Sequence, residues 1–192
     1  KEDDRKRYYG YIQKESMRLS RLIDDLLELS RLQSGTIALT KQRMDVQEIL
    51  YDVAQRYESA AQKRGLSIRL NVADPFPEVY GNPDRTEQVL IILLDNAIKH
   101  GSADEPLALG AEISGDKVLV HVSNAGTIAE EDIAHLFERF YKADRSHSGE
   151  GTGLGLSIAQ EIMSLLDEKI WAQNRNGRVE FTFTLSLNAE KV

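Results

Sequence analysis

Apolar residues recur at intervals of seven near the start of the chain. Ile12, Leu19 and Leu26 form one row, Leu22 and Leu29 a second beside it, and Ile23 widens the stripe. Lys14, Arg18, Arg21, Asp24, Asp25, Glu28 and Arg31 occupy the rest. This pattern predicts a helix with an apolar seam and a charged exterior, closed by Ser34-Gly35. One amphipathic helix cannot bury its own stripe. The seam therefore either packs on the rest of this chain or belongs to a helix hairpin or dimer whose other half is missing.

Residues 36–44 read as an extended connector. Asp45-Val-Gln-Glu48 fits a capping box, and a helix follows to about Lys63, stopped by Arg64-Gly65. Leu66, Ile68, Leu70 and Val72 alternate with Ser67, Arg69 and Asn71, the period of a half-buried strand. Asp74-Pro-Phe-Pro77 makes a turn, and Glu78–Gly81 a short strand. Asn82-Pro83 supplies an N-cap and a first-turn proline for a helix reaching about His100. Strands are expected around 107–113 and 117–123, with Val118, Val120 and Val122 on one face. Glu130–Phe137 reads as a short helix and Gly155–Leu166 as another. Lys169–Asn174 and Arg178–Leu187 form a hairpin around Arg175-Asn176-Gly177, with Val179, Phe181, Phe183, Leu185 and Leu187 on one side of its long strand. The fold class expected is α+β, a two-layer α/β sandwich with helices on one face of a mixed sheet, preceded by a long amphipathic helix.

Composition narrows the function. At 192 residues, 41% hydrophobic and 29% charged, the chain suits one domain, or one plus an appendage. The formal charge of 24 − 31 = −7 argues against a general nucleic-acid binder. The absence of cysteine excludes disulfides, thiolate metal sites and a cysteine nucleophile. The four histidines stand singly, so a histidine-based metal site is not expected. The longest apolar run, Val89–Leu94, is far below the ~18 residues of a membrane span. The opening KEDDRKR has no signal-peptide apolar segment behind it and starts without Met inside a helical pattern. An excised portion of a longer protein is expected.

Four stretches carry candidate chemistry. In Gly149-Glu-Gly-Thr-Gly-Leu-Gly155, four glycines alternate just ahead of a helix. Exposed amides there suit phosphate oxygens, and the same composition suits a hinge. No Gly-Lys occurs, which excludes a P-loop, and the uniform step of two excludes the dinucleotide fingerprint. Asn96, Lys99 and His100 share one helix face. A carboxamide oxygen suits Mg²⁺ and an ammonium suits phosphate, although Lys at a helix C-terminus also answers the dipole. Ser123-Asn-Ala-Gly-Thr-Ile128 ends a strand. It is either a plain turn or a place where a carboxamide meets the amino edge of a purine. Phe137-Glu-Arg-Phe-Tyr-Lys142 offers two aromatic anchors for the loop from Phe140 to Gly153 and two cations, Arg139 and Lys142, for an anion. Core packing alone also explains the two phenylalanines.

The order DNAIKH, SNAGTI, FERFYKADRS, GEGTGLGLSIAQEI resembles the N, G1, F and G2 boxes of sensor histidine kinases, whose ATP-binding catalytic domain has the Bergerat (GHKL) fold. The likeness spans about residues 45–187. Residues 1–35, above all RLIDDLLELSRLQSG, resemble the second helix of the dimerisation and histidine-phosphotransfer domain. Residues 36–44 would then be a linker and 188–192 a tail.

This resemblance implies ATP and Mg²⁺ as cofactors and phosphoryl transfer to a histidine, relayed to an aspartate of a response regulator. It implies Asn96 as metal ligand, Lys99 and Arg139 at the phosphates as catalytic groups, and His100 near the ribose or adenine. Asn124, Gly126 and Ile128 would line the adenine pocket. Phe137, Phe140, Tyr141 and Lys142 would border the lid, about residues 138–152. Gly149, Gly151, Thr152, Gly153, Leu154 and Gly155 would form its hinge and phosphate cradle. A homodimer through helix 1–35, a cytoplasmic location and a membrane anchor upstream in the parent protein are also implied. Three departures stand out. The adenine-reading Asp is replaced by Asn124, in a turn one residue short between Gly126 and Ile128; an ungapped alignment would place Ser123 there. Ile92 occupies a slot that is Asn in many members and a carboxylate in ATP-hydrolysing relatives. No His-Glu-x-x-Thr/Ser-Pro-like segment occurs, so the chain alone is not expected to autophosphorylate. The alternative is a nucleotide-sensing or docking module without kinase activity.

Overall fold

The computed structural model describes residues 2–35, 39–103, 105–143 and 151–188. Helix α1 (Glu2–Gln33) is followed by β1 (Gln42–Met44), α2 (Val46–Gln62), β2 (Ile68–Val72), β3 (Val79–Gly81) and α3 (Pro83–His100). Next come β4 (Leu107–Ser114), β5 (Lys117–Ala125), α4 (Glu130–Ile133), α5 (Gly155–Leu165), β6 (Ile170–Arg175) and β7 (Arg178–Ser186). The sheet runs β1-β3-β7-β5-β4-β2, with β6 alongside β7 on the same edge as β3. Only β2 and β4 pair in parallel among the described strands. This is the mixed sheet with helices on one face expected from the alternation of period-2 and helical segments.

Alternation builds the core. Val118, Val120 and Val122 of β5 lie in register with Leu185, Phe183 and Phe181 of β7, and all six are buried. They meet Leu90, Leu93, Leu94 and Ala97 of α3 and Ile158, Ile162 and Met163 of α5 in one apolar cluster. Each large side chain buried this way contributes about 1.5–3 kcal/mol. Caps fix the helix entries as the sequence suggests. The carboxylate of Asp45 accepts from the Glu48 amide at 3.0 Å, and Asn82 Oδ1 accepts from the Arg85 amide at 3.1 Å. Asn176 and Gly177 both have positive φ, 53° and 74°, so the β6–β7 turn is the two-residue kind that suits Asn-Gly.

Two elements differ from expectation. The stretch expected as connector contributes β1, because Gln42–Met44 pair with β3 and bury Met44. The helix expected over Glu130–Phe137 is α-helical only to Ile133. Beyond it, His135 and Leu136 donate to carbonyls three residues back, so the chain tightens into turns.

The seam of α1 is split between two faces. Leu29 and Leu32 are buried and Leu22 half-buried where α1 packs against α5. Arg85 of α3 reaches Glu28 at 2.7 Å, and Gln88 joins the same carboxylate at 2.9 Å. Ile12, Leu19, Ile23 and Leu26, roughly a third of a turn away, are exposed. The helix therefore packs partly on its own chain and keeps a second apolar stripe open.

A polar lock closes the end of the sheet opposite the β6–β7 turn. The Glu168 carboxylate is buried and accepts from Thr184 Oγ1 at 2.5 Å, Ser186 Oγ at 2.6 Å and Lys117 Nζ at 2.8 Å. Glu168→Ala leaves both hydroxyls without their acceptor. It should lower unfolding free energy by about 2–4 kcal/mol in urea titrations; a loss below about 0.5 kcal/mol would show that the lock is dispensable.

Candidate nucleotide-binding site

Two groups of the expected site residues are drawn together, each by its own strands and helices. The first gathers the C-terminal turn of α3 and the glycine-rich loop before α5. Asn96 and Lys99 are half-buried one turn apart, and His100 is exposed. Lys99 Nζ lies only 3.2 Å from where a Cβ on Gly151 would sit, so any larger residue at 151 would press on the ammonium. Lys142 Nζ donates to the Gly151 carbonyl at 2.8 Å. Two cations thus converge on one glycine whose φ, 136°, disfavours any side chain.

The same loop is clasped to the Phe-rich segment. The Phe140 amide donates to the Gly153 carbonyl at 2.9 Å, and a Cβ on Gly153 would stand 2.9 Å from Phe140 Cα. Phe140 itself sits at φ 63° with its ring exposed, a strained conformation costing about 1–2 kcal/mol. Phe137 turns inward and meets Phe181 edge-on at 6.3 Å, so packing explains this phenylalanine. Tyr141 donates its hydroxyl to Asp132, while Arg139 is exposed. Leu154 is fully buried, and Ile92 packs against Gly155. Gly149 lies outside the described residues, as does the middle of the expected lid, residues 144–150.

The second group is the turn leaving β5. Register settles its orientation. Asn124 stands opposite Val179 and continues the Val118-Val120-Val122 row, so it faces the helix layer. Ser123 points to the other face, where Arg178 Nε donates to its hydroxyl at 3.0 Å. Asn124 is buried and spends one amide N–H on the Ala125 carbonyl at 3.0 Å, which leaves its carboxamide oxygen as acceptor. Gly126 adopts φ 122°, and the Ile128 backbone is held from both sides by Asn174.

Sequence reasoning missed three contributors. Asp25 of α1 accepts the Thr152 hydroxyl at 2.5 Å, and Thr152 Oγ1 in turn accepts from the Leu154 amide at 3.3 Å. The other two are Asn174 and Arg178. No local signal marks any of them. Asp25 reads as one more charge on a polar helix face, and the other two flank a hairpin turn.

The family model described as histidine kinase-, DNA gyrase B-, and HSP90-like ATPase matches residues 81–189. The chain belongs to that family. It is 29% identical to the sensor protein VanS of Enterococcus faecium over 185 residues, which is 95% of this chain and 48% of VanS. The chain thus spans about half the length of that relative. Among solved structures, full-length ShkA in complex with AMPPNP superposes with a TM-score of 0.80 at 28% identity, covering 95% of this chain and 39% of that one. The histidine kinase ThkA in complex with the response regulator TrrA gives 0.78 at 27%, covering 96% and 52%. Coverage this wide takes in α1 as well as the sheet domain. The likeness to sensor histidine kinases and the α/β layering expected from the sequence both hold.

Asp95, between Leu94 and Asn96, is a local electrostatic feature of this helix end. Partial burial raises its carboxyl pKa above the ordinary 3.8, and its charge, after burial, helps raise the phenol of Tyr57 on α2. A raised carboxyl is disfavoured in its ionised folded form, so its contribution worsens as pH climbs from 3.8 through the folded value. Asp95→Asn should match the wild type in stability below that window and exceed it above. Denaturant midpoints across the acid range check this; a difference independent of pH would refute the assignment.

Proposed function

We propose that this chain is the ATP-binding catalytic region of a sensor histidine kinase together with the helix that leads into it. Lys99 and Lys142 converging on Gly151, in the glycine-rich loop just ahead of a helix that opens on Gly155, is the observation that carries the reading. Such a corner offers two ammonium groups and a loop backbone to a triphosphate. The residues present fit Mg·ATP: a half-buried carboxamide, Asn96, lies one turn from Lys99 as a hard oxygen ligand. When bound, ATP supplies the phosphoryl group and Mg²⁺ neutralises part of its charge.

In this reading Asn96 holds the metal, Lys99 and Arg139 face the phosphates, and His100 faces the ribose or adenine. Asn124 accepts the adenine amino group, with Gly126 and Ile128 completing the pocket. Phe137, Phe140, Tyr141 and Lys142 anchor one end of the lid. Gly151, Thr152, Gly153, Leu154 and Gly155 form the cradle and hinge at the other. Catalysis of this type is mostly positioning and charge neutralisation. Ile92, packed on Gly155, is an apolar group where a hydrolase would hold a carboxylate.

The acceptor is a histidine on a helix outside this sequence, so the chain alone does not label itself at that position. The open stripe Ile12, Leu19, Ile23 and Leu26 is the face for the partner helix and a second protomer. A response regulator is the onward acceptor, in keeping with the ThkA–TrrA complex. No helix among the described residues is long and apolar enough to cross a membrane. A cytoplasmic position, with any membrane anchor elsewhere in the parent protein, completes the proposal.

Calorimetric titration with ATP, ADP and GTP, with and without Mg²⁺, tests the reading. Adenine-selective binding in the micromolar to millimolar range that changes with Mg²⁺ is expected. No binding at millimolar ATP would overturn it. Asn96→Asp should alter the Mg²⁺ dependence of ATP binding with the melting temperature held; unchanged Mg²⁺ dependence would remove Asn96 from the metal role.

A further inference from the structure

The β5–β7 register fixes Asn124 toward the helix layer, but Gly126–Ile128 lie beyond the strand. Among the described residues, the hydrogen bonds outside the strand ladder that tie the turn from Ser123 to Ile128 to other elements come from the β6–β7 hairpin, residues 174–178. At the start, Arg178 Nε donates to Ser123 Oγ at 3.0 Å, and its Nη2 to the Ser123 carbonyl at 3.0 Å and the Pro106 carbonyl at 2.6 Å. In the middle, the Gly126 amide donates to the Gly177 carbonyl at 3.0 Å. At the end, Asn174 Oδ1 accepts from the Ile128 amide at 3.0 Å, while its Nδ2 donates to the Ile128 carbonyl at 2.7 Å and to Glu130 Oε1 at 3.2 Å.

Asn174 also lies on the right face. Val179 has Asn124 as its neighbour on β5 and Asn174 as its neighbour on β6, so both carboxamides sit in one row on the helix side of the sheet. We propose that Asn174 is a positioning residue for purine recognition, and that the hairpin it belongs to fixes the base-reading turn from outside. The proposal rests on Asn124 reading the adenine amino group.

The chemistry explains the residue type. Satisfying both backbone groups of one residue needs an acceptor and a donor on the same planar group, which a carboxamide has. Aspartate keeps only the acceptor and sets its charge against the Ile128 carbonyl and Glu130. Serine is too short to span both groups. Loss of the clasp frees Gly126–Ile128, so the base is no longer held against the Asn124 carboxamide, whose own place the β5–β7 register fixes, and discrimination at the purine 6-position falls with affinity. An ordinary loop cap would change stability without changing which purine is preferred.

The test measures dissociation constants for ATP and for purine riboside 5′-triphosphate, which lacks the 6-amino group, in the wild type, Asn174→Ala, Asn124→Ala and the double variant. Asn174→Ala should weaken ATP by about tenfold and the analogue by no more than about twofold. In the Asn124→Ala background the Asn174 substitution should cost ATP no more than about twofold, because the contact against which the turn holds the base is gone. Equal losses for both nucleotides, or the same loss in both backgrounds, would overturn the proposal while Asn124 keeps its role. An Asn124→Ala protein that discriminates as well as the wild type would instead sink the reading beneath it. Should Asn174→Ala fail to fold, Asn174→Asp gives the same comparison, with a selectivity loss at least as large expected.

Discussion

Strand β7 pairs with β5 over nine positions, from Lys117 opposite Ser186 to Ala125 opposite Arg178. That register decides which side chains face the helices. A slip of one residue would send Phe181, Phe183 and Leu185 to the other face and bring Thr182, Thr184 and Ser186 into the core. It would also exchange Asn124 with Ser123. The apolar alternation that builds the core is therefore the same constraint that points a carboxamide toward the helix layer. Glu168 reinforces it from one end by gathering Thr184, Ser186 and Lys117, and Arg178 from the other by bridging Ser123 and Pro106.

Glycine does the complementary work outside the sheet. At Gly153 the backbone comes closer to Phe140 than a Cβ would allow, and at Gly151 a Cβ would press on the end of Lys99. The loop is thereby joined to α3 on one side and to the Phe-rich segment on the other. Phe140 is held in a left-handed conformation by this clasp.

Helix α1 enters the same corner. Its carboxylate Asp25 holds the Thr152 hydroxyl, one residue before Gly153, while Glu28 pairs with Arg85 at the start of α3. Leu29 and Leu32 supply the apolar part of the contact. Helix α1 is thus joined to the glycine loop through the Asp25–Thr152 hydrogen bond.

Much of the design is legible in the chain itself. Period-2 and helical alternation, the caps Asp45 and Asn82 and the Asn-Gly turn are local properties, so the elements and the fold class follow from neighbouring residues alone. The four boxes are legible through their order, which is what resembles the family, since each short segment alone fits a hinge, a polar helix end, a turn or core packing equally well. Which of Ser123 and Asn124 faces the helices was open, since a shortened turn admits two alignments and only pairing with β7 chooses. The ties Asp25–Thr152, Asn174–Ile128 and Arg178–Ser123 join residues separated by 127, 46 and 55 positions, and no pattern of neighbours encodes them. The seam of α1 divides for the same reason: its heptads fix which residues are apolar, but packing on the sheet domain, with α5 the main neighbour, determines that Leu29 and Leu32 are covered while Ile12 and Leu19 stay open.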